Sequence, residues 1–246
     1  MSAPPSRGAT RVHAAAAAIP LDGQDEILAR PILPRAFFAR PPEVVARRLL
    51  GMRLCRRESG MLRIGEIVEC EAYLSRGDEA CHAFRGRRAG NAAMFGPPGC
   101  AYVYPIHSRV CFNVVTEAEG IGSAVLIRAL RPLVGLIAMR RSRGDVPERD
   151  LARGPARLCA AMGIDRALDG CVLSEASGVW IAGAPPVQDD QVARTVRIGV
   201  TRSCSQPLRF AIAGDRCVSG PRWLSAGSDA AHGRRRARGS AAAARG

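Results

Sequence analysis

"MRLCRRESGMLRIGEIVECEAYL", residues 52–74, decides how the chain is read. Two runs flank Ser59-Gly60, a turn pair, which predicts a β-hairpin. In an extended 64–74, side chains alternate between two faces. Ile64, Glu66, Val68, Cys70, Ala72 and Leu74 share one face, mostly apolar and expected to meet the core. Gly65, Ile67, Glu69, Glu71 and Tyr73 share the other. That face presents two carboxylates and a phenol either to water or to a cleft. As a pair, Glu69 and Glu71 would stand roughly 7 Å apart, between the separations used by retaining and inverting glycosidases.

The surroundings set the class. "RPPEVVARRLLG", 40–51, predicts a short helix with proline in its first turn and Gly51 past its end. Residues 75–99 are polar and rich in Gly and Arg, a loop long enough to suggest function. "CAYVYPI" and "VCFNVVT" predict two strands around a tight turn near His107-Ser108, and "SAVLIRAL", 123–130, a buried strand. Helices are expected at 132–141, starting with Pro132, and at 154–163. "GVWIAG", "RTVRIGVT" and "PLRFAIAG" predict later strands. Without regular βαβ alternation, the expectation is an α+β chain: one mixed domain, an antiparallel-rich sheet and flanking helices.

Of 246 residues, 47% are hydrophobic, enough for a real core. The expected domain runs over 25–224, between an Ala/Pro/Ser-rich segment 1–24 and an Arg-rich tail 225–246, both expected to be disordered. The formal charge of +14 favours a polyanionic partner. Five arginines between Arg234 and Arg245 supply only part of it, so the body is basic too. All 36 basic residues are arginine. Without lysine, no lysine amine can form a Schiff base. Nine cysteines, an odd number with no C-x-x-C, suggest a reducing compartment, and a cytoplasmic, nucleoid-associated bacterial protein is expected. No apolar run reaches the length of a membrane span.

Candidate chemistry concentrates in few residues. His82, in "EACHAF", reads as polar surface or as a site residue; neither H-x-E with P-C-x-x-C nor H-E-x-x-H is present, so no metal and no cofactor are expected. Tyr102 and Tyr104 share a strand face and, with Tyr73, are the only tyrosines. They read as core packing or as a slot for a flat base. His107 beside Arg109, at a hairpin tip, could probe a DNA groove.

"IVECEAYLSRGDEACHAFRG", "MFGPPGCAYVYPI", "CFNVV", "AVLIRALRP", "GPARLC" and "RIGV…PLRFAIAG" together resemble the alkyladenine (3-methyladenine) DNA glycosylase family, in the family's order over about residues 35–222. The resemblance implies a single domain with a curved sheet and a protruding β-hairpin. It also implies an enzyme acting on double-stranded DNA, flipping out an alkylated or deaminated purine and hydrolysing its N-glycosidic bond; a monomer is the default expectation. By the same resemblance Glu71 aligns with the general base that activates water, and Arg128 with the arginine that helps hold that water. Tyr73, His82 and Tyr104 align with the base pocket, and Asn113 with an asparagine that excludes guanine. The family's wedge tyrosine falls on His107 counted forward from Tyr104, or on Ile106 counted back from Cys111. The hairpin thus reads one residue shorter, and either wedge is smaller than tyrosine. Arg87, Arg88 and Arg109 are candidate DNA contacts, although "RGRRAGN" has Arg88 and Gly90 where the family more often shows threonine and arginine. The alternatives are a non-catalytic DNA- or RNA-binding protein of the same fold, an RNA-directed enzyme and a carboxylate-pair hydrolase of another glycoside.

Overall fold

The computed structural model describes residues 21–220. Most of the expected N-terminal segment and all of the Arg-rich tail, with Trp223, lie outside the described residues. Helices α1 (Leu21–Leu28), α2 (Arg35–Phe38) and α3 (Pro42–Leu49) lead into β1 (Arg53–Glu58) and β2 (Met61–Tyr73). Then come β3 (Ala101–Ile106), β4 (Arg109–Val115), β5 (Ala124–Val134), α4 (Leu136–Arg143) and α5 (Pro155–Met162). Strands β6 (Val179–Ala182), β7 (Val192–Thr195) and β8 (Arg209–Ile212) follow. All strands join one antiparallel sheet in the order β3-β4-β5-β2-β1-β6, with β8 bridging β2 and β7. The α+β expectation for a single domain is met.

β2 organises the sheet. One edge pairs with β5 along most of its length. The other edge changes partner midway: residues 61–66 pair with β1, and Glu69–Glu71 pair with β8. At that crossover the register slips. Ile67 pairs with Leu130 but Glu69 pairs with Ala129, leaving Val68 as an extra residue. One step later Cys70 pairs with Ile127, leaving Arg128 as the extra residue on β5. Two opposed bulges therefore sit side by side, and a bulge re-aims side chains.

Strict alternation over 64–74 is thereby corrected. Ile67, Cys70 and Ala72 all enter the main core, with Val45, Leu49 and Leu158 from the helices. Val68 joins a second cluster with Ala129 and Ala211. The predicted face that joined Ile67 to Glu69 is divided by the bulge at Val68. Water as the destination of Glu69 and Glu71 is also excluded: both are 0% exposed.

Two further expectations are corrected. Pro132 does not open a helix; β5 runs on to Val134 and α4 begins at Leu136. Pro132 pairs with Gly65 next to another register shift, and a missing N–H is tolerated at such a bulge. The break comes at Gly135, at φ 80°, where a Cβ would lie 2.5 Å from the Leu62 carbonyl. The strand expected over "RTVRIGVT" ends at Thr195, and Val196–Thr201 become a loop.

Candidate active site

Behind β2 and β5 lies a cleft of about 640 Å³. Tyr73 and Arg128 form part of its lining, with Tyr102, Tyr104 and Ile106 from β3, Cys111 and Asn113 from β4, and His82 from the loop after β2. Ile198–Arg202 complete the wall.

Glu71 stands just behind this lining with every oxygen engaged. Oε1 accepts from the Ile198 backbone N–H at 2.8 Å. Oε2 accepts from the Tyr73 hydroxyl at 2.9 Å and from Arg128 Nη1 at 3.1 Å. Burial and then the Glu71 charge push the Tyr73 hydroxyl well above its ordinary range, so it remains a donor. For Arg128, burial opposes the charge, but Glu71 and Glu69 outweigh it and raise its pKa further.

Glu69 has a different setting. Its Oε1 accepts from Arg128 Nε at 3.0 Å, Arg209 Nε at 2.7 Å and Ser219 Oγ at 3.0 Å. Its Oε2 accepts from the Ser219 N–H at 2.7 Å. Such a carboxylate orients Arg128 and ties the segment after β8 to the sheet; all four of its hydrogen bonds come from protein donors. The two glutamates thus form an orienting group and a site group, not a matched pair.

The remaining sequence candidates fall into two groups. Tyr73, His82, Tyr104, Asn113 and Arg128 converge on the cleft. The His82 and Tyr104 rings meet edge to face with centroids 4.4 Å apart. His82 Nδ1 pairs with the Tyr102 hydroxyl at 2.8 Å, and burial lowers the imidazole pKa, favouring the neutral ring. Asn113 is buried and its side-chain N donates to the Tyr102 carbonyl at 3.0 Å. Ile106, the last paired residue of β3 opposite Arg109, is exposed and also lines the cleft. His107 occupies the turn at φ 53°, a conformation histidine tolerates better than most side chains. Arg87, Arg88 and Arg109 are exposed and do not line the cleft.

Sequence reasoning missed Tyr102 as the partner that fixes the His82 ring. It also missed the Ile198 N–H, and the pair Asp78–Arg197, a bidentate ion pair with both contacts at 2.6 Å. No local signal marks a backbone donor. The acid in "SRGDEA" and the arginine in "VRIGV" are 119 residues apart, and nothing in their spacing joins them.

Comparison with known proteins identifies the family. A family model described as Methylpurine-DNA glycosylase matches residues 36–216. A provisionally named 3-methyladenine DNA glycosylase of Rhodopirellula baltica is 47% identical over 189 residues, 75% of this chain and 81% of that protein. One from Carboxydothermus hydrogenoformans is 44% identical, over 76% of this chain and 98% of its own length. A provisionally named DNA-3-methyladenine glycosylase of Encephalitozoon cuniculi is 43% identical, over 73% of this chain and 88% of its own. By the match of this family model over most of the chain and by these relatives, the chain belongs to the methylpurine-DNA glycosylase family, hydrolases of DNA repair that act on N-glycosyl bonds.

Proposed function

We propose that this protein flips an alkylated or deaminated purine out of duplex DNA and hydrolyses its N-glycosidic bond with a water activated by Glu71. The observation that carries this reading is the Glu71 carboxylate, held by Arg128 and Tyr73 immediately behind a cleft walled by aromatic rings. The water takes up a position on Glu71 as the nucleotide arrives, replacing one of the donors that now occupy the carboxylate. Its oxygen bonds to C1′ of the sugar and its proton passes to Glu71. The C1′–N9 bond breaks and its electron pair leaves with the purine. Positive charge grows on the sugar during this step, and a carboxylate beside it stabilises that charge.

Flipping costs a few kcal/mol, least for a weakly paired lesion. Tyr73, Tyr104 and His82 supply stacking surface for the extruded base, and Asn113 crowds the exocyclic amine of guanine. Ile106 or His107 fills the gap in the duplex. The exposed Arg87, Arg88 and Arg109 meet the phosphates. The protein acts as a monomer without a strand-cleaving step: no lysine is available to form an imine with the abasic sugar.

The test is a duplex oligonucleotide carrying one hypoxanthine or 3-methyladenine, incubated with excess protein. Alkali-labile abasic sites are expected. Tight lesion binding with no base release would instead make the chain a non-catalytic binding protein.

A further inference from the structure

Arg197 is buried and is not part of the cleft lining, yet its guanidinium lies over the Tyr73 ring, 4.7 Å from the centroid. Tyr73 itself lines the cleft. The ring therefore separates a permanent cation from the space proposed for the base. Arg197 is held there firmly. Nη1 donates to Asp78 Oδ2 and to the Ala72 carbonyl at 3.0 Å, and Nη2 donates to Asp78 Oδ1. Among the described residues its Nε has no hydrogen-bond partner, so this guanidinium sits against the ring at the expense of one donor. Asp78, 0% exposed, also accepts from the backbone N–H groups of Leu74 and Ala80. The clamp thus joins the loop after β2 to the loop after β7.

Charge at and behind the cleft is balanced. Glu69, Glu71 and Asp78 face Arg128, Arg197 and Arg209, all six buried, and Glu79 and Arg202 of the lining pair with each other at 3.4 Å. A cationic base gains no net attraction from this set beyond its nearness to Glu71. An aromatic face attracts a cation through its electron density. A guanidinium on the opposite face draws that density away and repels a second cation through the ring.

We infer that Arg197 is a positioning residue for specificity: seated behind Tyr73, it weakens the pocket's preference for cationic over neutral purines. This rests on the glycosylase reading above. It assigns neutral deaminated purines a larger share of the activity than a ring free of Arg197 would allow.

The test uses the full-length protein and two duplexes identical except for one base, a cationic 3-methyladenine or a neutral hypoxanthine, competing in one reaction. Neither base carries the 2-amino group, so crowding at Asn113 does not enter. The ratio of kcat/KM values does not depend on how much of a preparation is folded. Arg197→Lys keeps a cation near the ring and is expected to leave the ratio within about twofold of the parent. The double variant Asp78→Asn/Arg197→Gln removes both charges while keeping amides in place. Its cationic-to-neutral ratio is expected to rise about three- to tenfold. An unchanged or lowered ratio in the double variant overturns the inference, as does an equal rise in Arg197→Lys, which would make the effect one of shape. If the parent protein releases neither base, the function itself fails. An active parent with an unmoved ratio removes only the role of Arg197.

Discussion

Glu71 and Tyr73 stand two residues apart on β2, and the tyrosine hydroxyl donates to the carboxylate Oε2 at 2.9 Å. One side chain thus holds the proposed base with its oxygen and offers the cleft its ring. With Arg128 and the Ile198 N–H also on the carboxylate, Glu71 is restrained at both oxygens. Glu71→Gln keeps the shape and removes the proton acceptor. Turnover is expected to fall by about 10² to 10⁴ with lesion binding retained, measured by single-turnover base release and by binding titration. Undiminished release would remove Glu71 from the mechanism.

Glu69 should answer differently. Glu69→Ala leaves Arg128 and Arg209 buried without a shared carboxylate, a loss of about 3–5 kcal/mol. The readout is thermal or urea unfolding. Glu69→Gln should lose less stability and still release base, separating an orienting role from the chemistry.

Ile106 and His107 are exposed at the β3–β4 turn, so Ile106→Ala should leave unfolding unchanged within about 0.5 kcal/mol, while His107→Ala, at φ 53°, should cost up to about 1 kcal/mol. If one of them fills the duplex, affinity for lesion DNA should drop roughly tenfold in that variant alone. Equal affinity for both variants and the parent would place the wedge elsewhere.

Binding to DNA should weaken steeply with salt. Removing Arg87, Arg88 or Arg109 should lower the slope of log K against log salt by about 0.9 for each true phosphate contact. An arginine whose removal leaves the slope intact does not touch a phosphate.

Alkaline pH should destabilise the fold. Burial pushes the Cys55 thiol from 9.0 to about 12, Cys81 to about 11 and Cys217 to about 12. A folded pKa above the unfolded one means the stabilisation is complete below pH 9. It is lost as pH climbs from 9 toward the folded values, because the unfolded chain releases these protons first. Each thiol adds a slope of about 1.4 kcal/mol per pH unit in that window. Urea midpoints at pH 8, 9 and 10 under reducing conditions check this; a flat response would show that these thiols are not sealed from solvent.

What the chain's own order of residues determined is local. Ser59-Gly60 closes the β1–β2 hairpin, Pro42 and Pro155 start helices, and apolar runs mark the buried strands, because turns, caps and periodicity act over a few residues. The ordered motif blocks likewise pointed to the family and to the residues that meet at the cleft. Tertiary structure alone decided the rest. The bulges at Val68 and Arg128 arise from pairing β2 with three different strands, so no alternation within 64–74 could show that Ile67 and Glu69 part company. Ser219 reaches Glu69 across 150 residues and the Ile198 N–H reaches Glu71 across 127, and Arg197 comes to Tyr73 from the same distant loop as Ile198. Carboxylates buried at 0% exposure need donors wherever the fold can supply them, and that demand is met by packing, not by sequence neighbours.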